Sequence, residues 1–135
     1  MMIYKFLLSI SLVLIFGAVQ SCAQSQKENK VETIAKISPT EFKEQSEEQL
    51  ILDVRSTEEF MEGHIAGAIN NNVYDENFTE IMNNFPKNKP IFVYCKSGKR
   101  SNMAAVKLSK LGFKQIYDLE GGILNWIKND YEVVN

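Results

Sequence analysis

The sequence predicts an α/β fold, with a central parallel sheet of about five strands and helices on both faces. Three observations carry this reading. From Ile34 onward, short β-rich apolar runs alternate with helical segments that announce themselves by their capping residues. Two of the runs, Leu50-Ile51-Leu52-Asp53-Val54 and Pro90-Ile91-Phe92-Val93-Tyr94, are apolar without polar alternation, as expected of strands covered on both faces. No segment repeats, and 135 residues with 44% hydrophobic and 24% charged make one ordinary globular domain.

Taken in order, Ser38-Pro39-Thr40-Glu41 is a capping box with Pro at the first helical position, opening a short helix that carries Phe42 inward. The strand at residues 50–54 follows, then a second capping box, Ser56-Thr57-Glu58-Glu59, with Phe60 behind it. Ala68-Ile69 is a candidate short strand, and Asn77-Phe78-Thr79-Glu80 opens a third helix expected to use Ile81, Met82 and Phe85. After the strand at residues 90–94, Ser101 is expected to cap a helix with Ala104, Leu108 and Leu111 on one face, ended by Gly112. Residues 114–119 form the last strand, and Gly121-Gly122 leads into a helix holding Ile123, Trp126 and Ile127.

The N-terminus is of a different kind. Residues 1–21 carry one early charge, Lys5, then a run from Phe6 to Val19 broken only by Ser9, Ser11 and Gly17. Such a run is too short to span a bilayer of about 30 Å and has the length of a secretory h-region. A signal peptide is expected over residues 1–21, a polar tether over 22–33 and the folded domain over 34–135. Val19-Gln20-Ser21-Cys22 resembles the lipobox of bacterial lipoproteins, with Gln20 departing from the usual small residue. The resemblance implies lipidation at Cys22, export, and a membrane anchor facing the periplasm. Ordinary cleavage after Ala23, giving a soluble periplasmic protein, and an uncleaved anchor are the alternatives. Fifteen Lys and Arg against 17 Asp and Glu provide no basic surface for a run of phosphates, so nucleic acid is not an expected partner. Two cysteines are too few for a disulfide framework.

The chemistry concentrates in Cys95-Lys96-Ser97-Gly98-Lys99-Arg100. A cysteine between a buried strand and a helix N-terminus sits where backbone N–H groups converge and the helix dipole is positive, a place that favours an anion. A free thiol has a pKa of about 8.5, and helix N-termini and neighbouring cations lower it. Lys96, Lys99 and Arg100 are therefore expected to raise the thiolate fraction of Cys95, with no histidine base needed. A buried inert cysteine is the bland alternative, and the polar residues after Cys95 argue against it.

Cys95-x-x-Gly98-x-Arg100-Ser101 resembles the active-site loop of the rhodanese family. Leu52-Asp53-Val54-Arg55, Glu59-Phe60 and Gly63-His64-Ile65-x-Gly67-Ala68-Ile69-Asn70 resemble its N-terminal signature, and Leu119-x-Gly121-Gly122-Ile123-x-x-Trp126 its C-terminal one. The resemblance covers residues 34–135 and implies a three-layer rhodanese-like fold. It also implies a sulfurtransferase. Cys95 would take a sulfane sulfur from a small anionic donor such as thiosulfate and pass it, as a persulfide, to a thiol or cyanide-like acceptor, without cofactor or metal. The backbone amides of Lys96, Ser97, Gly98, Lys99 and Arg100 would stabilise the anionic persulfide, with Ser101 completing the loop and Gly98 supplying backbone freedom. Lys96 and Lys99 would gather the donor, or serve only as solvated charges. Asp53 and Arg55 read as loop ties and His64 as structural support. Trp126 reads as core, and Arg100 as facing either the anion or loop carbonyls.

Three other classes remain. A phosphatase or arsenate reductase of similar fold would need five residues between the cysteine and the arginine, and four separate Cys95 from Arg100. A non-catalytic binding or sulfur-sensing module would be expected to lack the cysteine. A dithiol oxidoreductase would need a resolving partner, and acylation of Cys22 leaves Cys95 alone.

Overall fold

A computed structural model of the chain describes residues 33–135. The expectations for the signal peptide, the tether and Cys22 fall outside the described residues. Ten elements alternate: β1 (Ile34–Ile37), α1 (Pro39–Gln45), β2 (Leu50–Asp53), α2 (Thr57–Glu62), β3 (Ile69–Asn70), α3 (Phe78–Asn83), β4 (Ile91–Tyr94), α4 (Lys99–Lys110), β5 (Ile116–Leu119) and α5 (Gly122–Lys128). The five strands form one parallel sheet in the order β1-β5-β4-β2-β3.

Strand alternation divides the core in two. Ile91, Val93 and Cys95 face one layer, where they meet Phe78 and Met82 of α3 and Ala104, Ala105 and Leu108 of α4. Phe92 and Tyr94 face the other, against Phe42 of α1 and Ile123 and Trp126 of α5. Every residue of β4 is buried, which explains why its sequence shows no polar alternation. Phe42 is the hub of the second layer, edge-on to Phe92 at 5.4 Å and to Trp126 at 6.1 Å between centroids. Both capping boxes form: Ser38 caps Glu41, and Ser56 caps Glu59, each with the reciprocal carboxylate bond.

Four local expectations change. The short strand is Ile69–Asn70, because Ala68 donates its N–H to Ile65 in a turn and only the next residue enters the ladder beside Leu52. In α3 it is Phe78 and Met82 that turn inward, while Ile81 is exposed and Phe85 only partly buried, since residues 78 and 82 lie one turn apart on the same face. In α5 Ile127 is exposed beside buried Trp126. Ser101 does not cap α4: Gly98 holds that position and Ser101 sits buried within the first turn.

Truncation at the two neighbouring α3 positions distinguishes these faces. Met82→Ala should lower the unfolding free energy by about 2–5 kcal/mol, whereas Ile81→Ala should cost under about 1 kcal/mol, measured by urea denaturation. Equal costs would contradict the inward face of α3.

Candidate active site

The loop after β4 is shaped from outside by α5. Ile123 N–H donates to the Cys95 carbonyl at 2.8 Å and Leu124 N–H to the Lys96 carbonyl at 3.2 Å. This close approach requires Gly122: a Cβ there would lie 2.4 Å from Lys96 O and 2.6 Å from Cys95 O. Carbonyl and following N–H point in opposite directions across a trans peptide, so the amides of Lys96 and Ser97 are directed away from α5. Gly98 completes the turn at φ +109°, a conformation that a side chain would strain.

The sulfur of Cys95 lies inside that turn and is nearly inaccessible, at 1% exposure. It accepts the Gly98 N–H at 3.1 Å, and its thiol is 3.5 Å from the Ser101 hydroxyl, which itself donates to Gly98 O at 3.1 Å. Lys99, Arg100 and Ser101 form the first turn of α4, where amides have no intrahelical acceptor and the dipole is positive. The arrangement can hold a negative charge on sulfur. Lys96, Ser97 and Lys99 are exposed, and neither lysine forms a salt bridge among the described residues.

Among the described residues Arg100 donates to no loop carbonyl, and the Cys95 sulfur is near enough to favour its charge. Its guanidinium grips Glu59 of α2 with two parallel bonds, Nη1 to Oε2 at 2.6 Å and Nη2 to Oε1 at 2.8 Å. The same carboxylate accepts the Ser56 N–H in the capping box. Arg100, outweighing the opposing effect of burial, brings the Glu59 carboxyl down to about 2. The sequence places Glu59 in a capping box and in the family signature but does not show its pairing with Arg100.

Asp53 and Arg55 form a second, deeply buried pair, with Nη2 to Oδ2 at 2.6 Å, and Arg55 also donates to Gly63 O at 2.7 Å. They tie the end of β2 to the turn after α2. His64 stacks on Phe60 at 3.7 Å between centroids, and its Nδ1 lies 3.0 Å from Phe60 O. Its backbone exchanges two 2.8 Å bonds with Val134, so its contacts pin the chain's last residues rather than reach Cys95. Trp126 is core, with its indole N–H on Glu132 O at 2.9 Å.

Beside the loop a cleft of about 200 Å³ is lined by charged Arg55, Glu59 and Lys96 together with apolar Ile123, Leu124, Ile127 and Val133. Larger hollows of about 430 Å³, by Trp126 and Tyr131, and about 470 Å³, by Leu50 and Phe85, contain none of the loop residues. No group of three or more His, Cys, Asp and Glu suited to a metal occurs among the described residues.

A family model described as a rhodanese-like domain matches residues 38–129. A tRNA uridine(34) hydroxylase of Pelagibacter ubique is 41% identical over 81 residues, covering 59% of this chain but 27% of that protein. A putative sulfur carrier protein of Bacillus subtilis is 36% identical over 97 residues, covering 70% of this chain and 51% of the relative. Among solved structures, a rhodanese-related protein from Thermoplasma volcanium superposes with a TM-score of 0.66 at 35% identity, over 73% of this chain and 96% of the other.

The clamp between Glu59 and Arg100 has a pH signature. A carboxyl lowered in the folded state stabilises above its unfolded value of 4.5, and that contribution is lost as pH falls toward about 2. The stability difference between wild type and Glu59→Gln should therefore be full at neutral pH and shrink across that window, read by denaturant titration at successive pH values. A difference independent of pH would show that the ion pair contributes nothing.

Proposed function

As this chain belongs to the rhodanese-like domain family, we propose that it is a sulfurtransferase in which Cys95 carries a sulfane sulfur from a small anionic donor, such as thiosulfate, to a thiophilic acceptor. The observation that carries the reading is the placement of the Cys95 sulfur at the mouth of α4, with the Gly98 N–H already directed at it. The thiolate attacks the outer sulfur of thiosulfate, the S–S bond of the donor breaks, and sulfite leaves with the bonding pair. Backbone amides meet the resulting persulfide anion without reorganising, as donors in an oxyanion hole do. A thiol or cyanide then removes the outer sulfur and the thiolate is restored. The exposed Lys96 and Lys99 draw the anionic donor toward the loop.

The position of Arg100 weighs against phosphatase or arsenate reductase chemistry, because its charge is taken up by Glu59 instead of being offered to a tetrahedral oxyanion. The hydroxylase relative is far longer than the matched region, so its named activity is that of a larger protein. The putative sulfur carrier, with half its length matched, fits persulfide handling.

Incubation with thiosulfate and no acceptor should add the mass of one sulfur atom to the Cys95 peptide, and cyanide should remove it, because the two half-reactions are separated in time. Cys95→Ser should gain nothing while remaining folded. A wild-type protein that gains no sulfur from any donor, with Cys95 still open to alkylation, would leave a non-catalytic binding or sensing module as the better reading.

The second part of the proposal concerns address: export through the signal peptide at residues 1–21 and anchoring through lipid on Cys22. One acyl chain binds a membrane only marginally, whereas several hold firmly. Cys22→Ser should thus move the protein from the membrane fraction to a soluble or unprocessed pool, and an unchanged fractionation and migration would refute the anchor.

A further inference from the structure

One side chain touches the reacting sulfur and is left unused by the mechanism above. Ser101, in the first turn of α4, is 0% exposed, and its Oγ lies 3.5 Å from the Cys95 sulfur. In the thiol form the S–H is directed at Ser101 Oγ, and the serine hydroxyl donates to Gly98 O at 3.1 Å. That carbonyl also accepts the Asn102 N–H at 3.1 Å, the bond that opens α4. Gly98 O can therefore release the serine hydrogen and still be paired, so turning the hydroxyl leaves no buried acceptor empty. The sulfur has the opposite need. As a thiol it supplies a hydrogen, and as an anion it has none to give and can only accept. The Gly98 N–H, at 3.1 Å, offers it one hydrogen, and Ser101 holds a second within reach.

We propose that Ser101 is a catalytic residue that stabilises negative charge on the inner sulfur, its hydroxyl turning from Gly98 O to Cys95 Sγ whenever that sulfur is an anion. The heavy atoms stay in place, no O–H bond breaks at Ser101, and the thiol proton goes to solvent. The inner sulfur is anionic twice in the cycle, before it attacks the donor and after it gives up the outer sulfur. In that second step the acceptor attacks the outer sulfur and the S–S bond of the persulfide breaks. The bonding pair returns to Cys95 Sγ, where the Ser101 hydroxyl and the Gly98 N–H meet it. This step rests on the sulfurtransferase reading, whereas stabilisation of the free thiolate does not. A thiol whose anion is stabilised attacks more slowly and leaves more readily, so Ser101 favours discharge of the persulfide over its formation. The charged groups around the sulfur are exposed Lys96 and Lys99, Arg100 in its pair with Glu59, and buried Asp118 on the same face of the sheet. All of them are common to the variants below, so differences between variants belong to residue 101.

The test begins with the pH dependence of Cys95 alkylation by iodoacetamide in the full chain, read by mass spectrometry of the Cys95 peptide. Loss of a hydrogen bond to a charged sulfur should raise the midpoint by about one pH unit in Ser101→Ala, making alkylation at pH 7 roughly tenfold slower. Ser101→Thr keeps the hydroxyl and should keep a midpoint near that of wild type. A merely structural role would change alkylation by one factor at every pH and leave the midpoint in place. The half-reactions are then separated. Above both midpoints, Ser101→Ala should take sulfur from thiosulfate about threefold faster than wild type and lose it to cyanide about threefold more slowly. An unshifted midpoint in Ser101→Ala, a shift of the same size in Ser101→Thr, or discharge as fast as that of wild type would overturn the proposal. If Ser101→Ala does not fold, an unshifted midpoint in Ser101→Gly, which also lacks the hydroxyl, overturns it equally. Failure of thiosulfate to load the wild type would be seen separately, would count against the sulfurtransferase reading, and would leave the midpoints to decide the role of Ser101.

Discussion

The direction of two carbonyl groups governs the site. Cys95 O and Lys96 O are both held by the first amides of α5, and a peptide that turns its carbonyl one way turns its N–H the other. Fixing the carbonyls outward therefore orients the amides of Lys96 and Ser97 away from α5 before any ligand arrives. The cost of this arrangement is a backbone contact too close for any Cβ, which explains why a glycine stands at position 122. The loop is thus preorganised by a neighbouring helix, and Cys95 contributes little to its own conformation.

Charge is distributed in a matching way. The two arginines nearest the cleft are already committed, Arg55 to Asp53 and Arg100 to Glu59. Each pair joins segments that no regular hydrogen-bond ladder connects: the end of β2 to Gly63, and the start of α2 to the start of α4. The Asp53 pair is nearly solvent-free while the Glu59 pair is partly wetted, so its removal would leave the costlier unpaired charge. What remains to meet an anion is a set of backbone amides and two exposed lysines. Amides of a rigid turn lose no side-chain entropy on binding, and lysines attract at a distance, so recognition and attraction fall to different groups.

Much of this was legible before the structure. Capping boxes at Ser38 and Ser56 depend on contacts three residues apart, and the uninterrupted apolar run of β4 reflects burial on both faces, so each is written locally. The inward faces of α3 and α5 were misread at Ile81 and Ile127 because helices of six and seven residues hold too few apolar positions to define a stripe. The N-cap of α4 was misplaced because glycine in a left-handed turn gives no side-chain capping signal, whereas the serine three residues later does. The pairing of Glu59 with Arg100 was out of reach for another reason: the two lie 41 positions apart, and only the packing of the sheet brings them together.

That packing follows from strand order. With β4 between β2 and β5, the chain leaves three adjacent strands at one edge of the sheet, through the Cys95 loop, through Arg55 into α2, and through Gly121-Gly122 into α5. Open parallel sheets place their ligand crevices at such edges, where diverging connections leave room. Here the middle connection carries the sulfur, one neighbour supplies the carboxylate that braces Arg100, and the other supplies the amides that hold the loop. α5 also lines the cleft with Ile123, Leu124 and Ile127, together with Lys96 and Glu59. The Cys95 side chain is itself nearly excluded from solvent, at 1% exposure. A sulfur anion held by fixed dipoles in such surroundings interacts with them more strongly than it would in bulk water.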